Sequence, residues 1–242
     1  MERCLRDLGE LADEILVLDT GSTDNTREEA AKYGATVFDY QWEGHFAKAR
    51  NFLINKARND WVLWIDGDEY YPPELLGEIR LLFETGPKFD GYYFPRRNYY
   101  FGKWLRHGGN YPDYQLKLYR RSGASLYGDR IHEGVRLKGK AGYLTNCCHH
   151  YSYPTIDKYL EKNLQYSTLE AGKLDANGVT VSPVNVVTWM IFRPVTRFIR
   201  RYFFKGGFLD GISGLIAALF DAWGYIIRYA KLWEIRKNKP TS

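Results

Sequence analysis

The 242-residue sequence predicts an α/β domain with an α-helical C-terminal appendage, on three observations. Short apolar runs alternate with helical segments over residues 1–71, the order that builds a parallel sheet with helices on its faces. Two of those runs end in clusters of Asp, Gly, Ser and Thr, where open α/β sheets bind ligands. From about residue 179 the pattern changes to long apolar and basic helical stretches.

The elements follow in order. Leu5, Leu8 and Leu11 sit at helical spacing among charges, which predicts a short amphipathic helix over 2–11. Residues 14–19, EILVLD, read as a buried strand, and TGSTDNT (20–26) as a loop that supplies backbone N–H groups and caps a helix over 27–33. A strand at 36–40 and a helix at 47–58 come next. The sequence NDWVLWIDGDEYY (59–71) then places five apolar residues directly before Asp66, Asp68 and Glu69, which predicts a strand buried on both faces. Pro72-Pro73 opens a helix to about residue 83. Strands are expected at 91–95 and 115–120, with a long loop at 96–113 whose Arg and aromatic residues suit a sugar or phosphorylated acceptor. A helix is expected at 156–174. The stretch 176–192 is too short and broken for a membrane span of about 20 residues. In the helix 194–205, Arg197, Arg201 and Lys205 recur every fourth residue beside Arg200. Val195, Phe198, Ile199, Tyr202 and Phe203 occupy the other side, a pattern suited to an anionic membrane interface. The segment 211–233 is apolar but carries Asp221, Arg228 and Lys231. Residues 1–150 are therefore expected to form the α/β domain, and 151–242 a membrane-associating helical region.

Composition narrows the function. The chain is 45% hydrophobic and 26% charged, an ordinary globular balance. Its 17% aromatic content suits sugar stacking and membrane interfaces alike. The net charge of +5 is modest, and its basic residues gather on one aromatic helix rather than along a groove, so nucleic-acid binding is not expected. Three cysteines without disulfide or metal spacing point to a reducing, cytosolic setting, and the charged first ten residues do not read as a signal peptide.

Carboxylates one residue apart, Asp66 and Asp68, suit a hard divalent cation held together with substrate phosphates. The same residues also suit a plain strand-to-helix turn that caps the helix after Pro72. His132-Glu133, with Asp129 close by, can ligate metal or move a proton. His149 and His150 have a structural reading first.

Taken with their spacing, ILVLDTGSTDNT (15–26) and FAKARNFLINKARNDWVLWIDGDE (46–69) resemble family 2 glycosyltransferases of the GT-A fold. RRNYYFGKWLRHGGNYPDYQLKLYRR (96–121), DRIHEGV (129–135) and the C-terminal RFIRRYFFKGGFLDGISGL (197–215) with KLWE (231–234) are similar to the lipopolysaccharide core β-glycosyltransferases, the group that adds glucose to an inner-core heptose. The resemblance implies a UDP-hexose donor and a metal-assisted, inverting transfer. Asp19 would contact uracil, with Gly21, Ser22 and Asp24 shaping that pocket. Asp66 would approach the ribose or the metal, Asp68 would bind Mg²⁺ or Mn²⁺ at the diphosphate, and Arg50 would help there. Glu133 would be the base, with Asp129 and Asp113 in reserve, and His132 would orient Glu133 or approach the metal.

Family members open with a hydrophobic strand and a loop that walls the nucleotide pocket. Here MERCL looks like the helix after that strand, which implies that about 15 residues are absent and that the chain as it stands is weak or inactive. The alternatives are transfer to a polyprenyl phosphate, or a non-catalytic membrane-surface binding protein.

Overall fold

The computed structural model describes residues 5–6, 8–43, 46–128 and 133–238. They fall into two units: Met1–Arg96 with Asp113–His150, and Arg97–Pro112 with Tyr151–Ser242.

In the first unit β1 (Leu16–Asp19) lies parallel to β2 (Thr36–Asp39), joined through α1 (Thr26–Lys32). This is the expected βαβ start. Helix α2 (Phe46–Ile54) leads to β3 (Trp61–Leu63), followed by β4 (Glu69–Tyr70) and α3 (Pro73–Thr85). The strands that follow in the chain are β5 (Gly91–Tyr100), β6 (Lys103–Trp104), β7 (Asp113–Arg120), β8 (Ala124–Gly128), β9 (Glu133–Leu137), β10 (Ala141–Tyr143) and β11 (Cys148–Tyr153); β6 and the ends of β5 and β11 fall in the second unit. The larger sheet has the order β3-β7-β5-β11-β4, with β6 and β10 also on β5.

The parallel pattern expected from residues 1–71 holds for β1–β2 and recurs at β5–β10. The pairs β3–β7, β5–β7 and β4–β11 are antiparallel. β5 and β7 follow one another without the helical crossover that parallel neighbours need. The apolar run 61–65 is half-buried rather than buried on both faces. β3 pairs with β7 and β1 with β2, so the described residues join the two sheets through no ladder. Glu14 links their starts: its carboxylate accepts from the backbone N–H of Arg58 at 2.7 Å and of Asn59 at 3.2 Å.

The core of this unit forms where α3 lies on the larger sheet. Tyr71, Leu75, Ile79, Phe94 and Leu118 are all buried there. Each such side chain contributes about 1.5–3 kcal/mol relative to exposure. Tyr71 meets Phe94 edge-to-face at 5.7 Å. Glu78, on the outer side of α3, accepts four hydrogen bonds at 2.9 Å, from the backbone N–H and side chains of Thr145 and Asn146.

In the second unit α4 (Ile156–Ala176) starts at Thr155, whose side chain accepts from the N–H of Lys158. Then come α5 (Pro183–Val187), a π-helical turn (Thr188–Phe192), α6 (Arg193–Ile199), a second π-helical turn (Arg200–Phe204) and α7 (Gly211–Lys237). Trp189 stacks on Tyr229 at 6.1 Å in the core beside Ala171 and Leu232. Gly207–Lys237 is long and apolar enough to cross a membrane by length and composition alone. Its small residues Gly214, Ala217, Ala218, Ala222 and Gly224 are buried within the unit. A Cβ at Gly214 would stand 2.0 Å from the carbonyl oxygen of Gly207, so only glycine permits that approach.

Two expectations need correction here. The first is the long loop at 96–113. β5 runs on to Tyr100 and turns back through β6, pairing Tyr99 with Trp104, and residues 97–112 belong to the helical unit. Asp210 secures this hairpin, accepting from the N–H of Arg106 and His107 at 3.2 and 2.8 Å and lying 3.0 Å from His107 Nδ1. The second is the basic stripe. Arg197 and Arg201 turn inward onto Asp221, and Arg201 also reaches Gly108 O at 2.9 Å. Burial would raise the Asp221 carboxyl, but the two guanidiniums outweigh it and hold it below its ordinary value. A carboxylate inside the unit draws these arginines away from solvent, and Val195, Ile199 and Phe203 are left facing out.

Candidate functional site

Two turns at strand ends carry the residues singled out by the sequence. The first follows β1. Asp19 is buried, and its Oδ1 accepts from the N–H of Gly21 at 3.3 Å and of Ser22 at 2.9 Å. This closes an Asx-type turn. Gly21 has φ 108°, a region that favours glycine. Hydrogen bonds from Ser22 and Gly21, with the charge of Arg27, hold the Asp19 carboxyl below its usual range. The parallel register sets Asp19 opposite Asp39, and Arg27 bridges them, 2.7 Å from Asp39 and 3.6 Å from Asp19. Asp24 accepts from the N–H of Thr26 at 3.1 Å, at the start of α1. Asp19, Gly21, Ser22 and Asp24 thus form one preorganised loop.

The second turn is Asp66–Glu69, closed by Glu69 N–H to Asp66 O at 2.9 Å. Asp66 accepts from Arg50 and from Trp64 Nε1, both at 2.8 Å, on Oδ1, and from Lys117 Nζ at 2.6 Å on Oδ2. Lys117 is buried and also donates to Glu69 at 2.9 Å. Arg96 lies 3.4 Å from Glu69 and 2.7 Å from Asp113. Burial would raise the Asp66 carboxyl, but Lys117 and Arg50 overcome this and hold it far below its ordinary value. Burial likewise works against the Arg96 charge, and Asp113 and Glu69 restore it and raise its pKa.

Three carboxylates (Asp66, Glu69, Asp113) therefore meet three cations (Arg50, Lys117, Arg96), and their formal charges cancel. Asp68 lies in the same turn as Asp66 and Glu69. It is the third residue of the turn, with 36% of its side chain exposed, and lies 3.4 Å from His150 Nε2. The β4–β11 register puts His150 opposite Glu69 and so beside Asp68.

This arrangement separates the two aspartates expected at a metal. Asp66 carries donors on both oxygens and acts as the counter-ion of Arg50 and Lys117. Asp68 presents a carboxylate oxygen, a group that suits Mg²⁺ or Mn²⁺ when a diphosphate supplies further oxygens, and His150 places a nitrogen beside it that Mn²⁺ tolerates better than Mg²⁺. Among the described residues no group of three His, Cys, Asp or Glu forms an all-protein metal cage. Asp113, a reserve base, is bound by Arg96 and by Gln115 at 2.7 Å. β8 and β9 form an antiparallel hairpin with Gly128 opposite Glu133. Glu133 opens β9, while Asp129 and His132 lie outside the described residues.

Residues 1–146 match the family Glycosyl transferase family 2. The chain belongs to that family. An uncharacterised glycosyltransferase of Rickettsia typhi is 28% identical over 96% of this chain and 82% of its own length. One of Rickettsia felis is 28% identical over 99% of this chain and 93% of its own. A lipopolysaccharide core biosynthesis glycosyltransferase, LpsC of Rhizobium meliloti, is 28% identical over 96% of this chain and 86% of its own. The protein is a family 2 glycosyltransferase with a GT-A fold, and the resemblance seen in its motifs stands. A nucleotide-sugar donor and a glycan acceptor follow from that class.

Sequence reasoning passed over Lys117, Trp64 and Glu69 and gave His150 a structural role. One signal was available: Lys117 sits between Leu116 and Leu118 in an apolar strand, where an unpaired cation would be costly. The pairing of His150 with Asp68 depends on the β4–β11 register, which no local pattern displays.

Proposed function

We propose that this glycosyltransferase moves a hexose, glucose being the expected one, from a UDP-sugar to a hydroxyl of a lipopolysaccharide-core or similar envelope glycan. The observation that carries the proposal is the Asp66–Glu69 turn, in which Lys117 holds Asp66 and Glu69 and the half-exposed Asp68 lies beside His150. Asp68 and His150 would hold Mg²⁺ or Mn²⁺ against the diphosphate, and that cation would neutralise charge on the UDP leaving group.

The residues of the chain do the rest. The Asp19–Asp24 loop receives the uracil end, its geometry fixed before binding by the Asp19 turn. Lys117 and Arg50 keep Asp66 ionised and immobile, so that the turn presents Asp68 in one position. Glu133 takes the proton of the acceptor hydroxyl. The oxygen then attacks the anomeric carbon from the face opposite UDP, which inverts its configuration. The two described cysteines are buried free thiols, in keeping with a cytoplasmic site of action on the inner membrane face.

A donor screen with UDP-glucose, UDP-galactose and UDP-N-acetylglucosamine tests the assignment. Metal-dependent turnover of one of them supports it. Turnover only with a polyprenyl phosphate acceptor would move the protein to another transferase class.

A further inference from the structure

The second unit turns an apolar line outward. Val184, Val187, Ile191, Val195, Ile199 and Phe203 recur every three or four residues along residues 183–204, and all are exposed. Phe192 (64% exposed) and Phe204 (84%) flank this line. A strict repeat of four drifts around an α-helix of 3.6 residues per turn. The two wider π-helical turns, at Thr188–Phe192 and Arg200–Phe204, wind less per residue and act against that drift. Soluble helices place the apolar face inside. Here Arg197 and Arg201 are inside on Asp221, and the apolar face is outside. Exposed apolar patches of this kind mark interaction surfaces.

Beside the line is an open cavity of about 310 Å³, lined by Arg193, Thr196, Arg197, Arg200 and Tyr225. Asp221 neutralises Arg197. Arg193 stacks on Trp189 at 3.7 Å, which holds its guanidinium in place. Neither Arg193 nor Arg200 has a carboxylate partner among the described residues. Two arginines, Arg193 and Arg200, line one depression together with Thr196 and Tyr225. Guanidinium groups match phosphate oxygens with paired N–H donors.

We propose that this cavity seats the phosphate of an anionic membrane lipid while the apolar line enters the acyl boundary. The proposal rests on the membrane-surface reading given above and assigns its lipid class. An exposed apolar line bordered by cations is the form of a helix lying in a membrane interface. A second copy of the chain fits less well, because an isologous contact would bring Arg193 and Arg200 against the same charges.

Vesicle flotation of the full chain tests this, comparing phosphatidylcholine vesicles with vesicles that also contain phosphatidylglycerol. The wild type should bind the mixed vesicles more tightly. Arg193→Gln with Arg200→Gln should remove that preference, about a fivefold loss for each charge, and leave phosphatidylcholine binding unchanged. Arg193→Lys with Arg200→Lys should recover only part of it, because the ammonium keeps the charge but loses the paired donors. Ile191→Ser with Phe204→Ser should lose binding to both vesicles, with circular dichroism confirming that the variants fold. Equal wild-type binding to both vesicles, or a preference that survives in the Gln pair, overturns the phosphate assignment. Failure to bind either vesicle overturns the membrane reading beneath it, as does self-association through the line without lipid.

Discussion

Replacing Lys117 by Met removes one buried cation and keeps nearly all of its volume. Lys117 donates to Asp66 at 2.6 Å and to Glu69 at 2.9 Å. Breaking a buried ion pair from one side costs about 3–5 kcal/mol, because the remaining charge is left uncompensated. Here Asp66 keeps Arg50 and Trp64, and Glu69 keeps Arg96 at 3.4 Å, so the lower end, about 3 kcal/mol, is expected. At about 2–4 °C per kcal/mol for a chain of this size, Tm should fall by about 6–12 °C. The pH dependence has a defined sign. In the wild type the Asp66 carboxyl is depressed from 3.8, so its contribution is complete above that pH and is lost as pH falls below it. In Lys117→Met the Asp66 carboxylate binds protons more readily than in the wild type. The deficit should therefore be full at pH 7 and shrink as pH falls below about 3.8. Urea denaturation followed by circular dichroism at pH 7 and pH 3 measures this. A variant within about 0.5 kcal/mol of wild type at pH 7, or a deficit that grows on acidification, would refute the network.

Other outcomes follow from the same geometry. Glu78→Ala strips four hydrogen bonds from the Thr145–Asn146 turn and should cost about 1–3 kcal/mol in urea denaturation, since two of the donors are backbone amides. Its carboxyl is depressed by Thr145 and Asn146 in spite of burial, so wild type and variant should converge as pH falls below 4.5. Asp210→Ala leaves the amides of Arg106 and His107 without their acceptor; hydrogen exchange there should accelerate, with Tm lower by several degrees. Glu133→Gln should bind UDP normally and lose sugar transfer by at least about a hundredfold, the usual contribution of a positioned base; retained transfer would remove Glu133 from that role.

What the sequence displays and what it conceals divide by range. The Asp19 loop and the Asp66–Glu69 turn were legible because each is built from neighbours: an apolar strand, then residues that cap or close a turn. Their joint spacing also carried the family assignment. The charge network was not legible, since Lys117 and Arg96 reach Asp66 and Glu69 from strands tens of positions away. The β5–β6 hairpin was hidden because Arg96–Tyr100 is polar and aromatic rather than cleanly alternating. Basic residues every fourth position looked like a solvent or membrane face. A single carboxylate, Asp221, on a distant helix reverses that orientation.

The most direct test is calorimetric titration of UDP with and without Mn²⁺, on the wild type and on Asp68→Ala. Wild-type binding should tighten markedly with Mn²⁺, and the variant should lack that increment. Equal UDP affinity with and without Mn²⁺, or an Asp68→Ala variant that keeps the full metal increment, would contradict the metal role of Asp68.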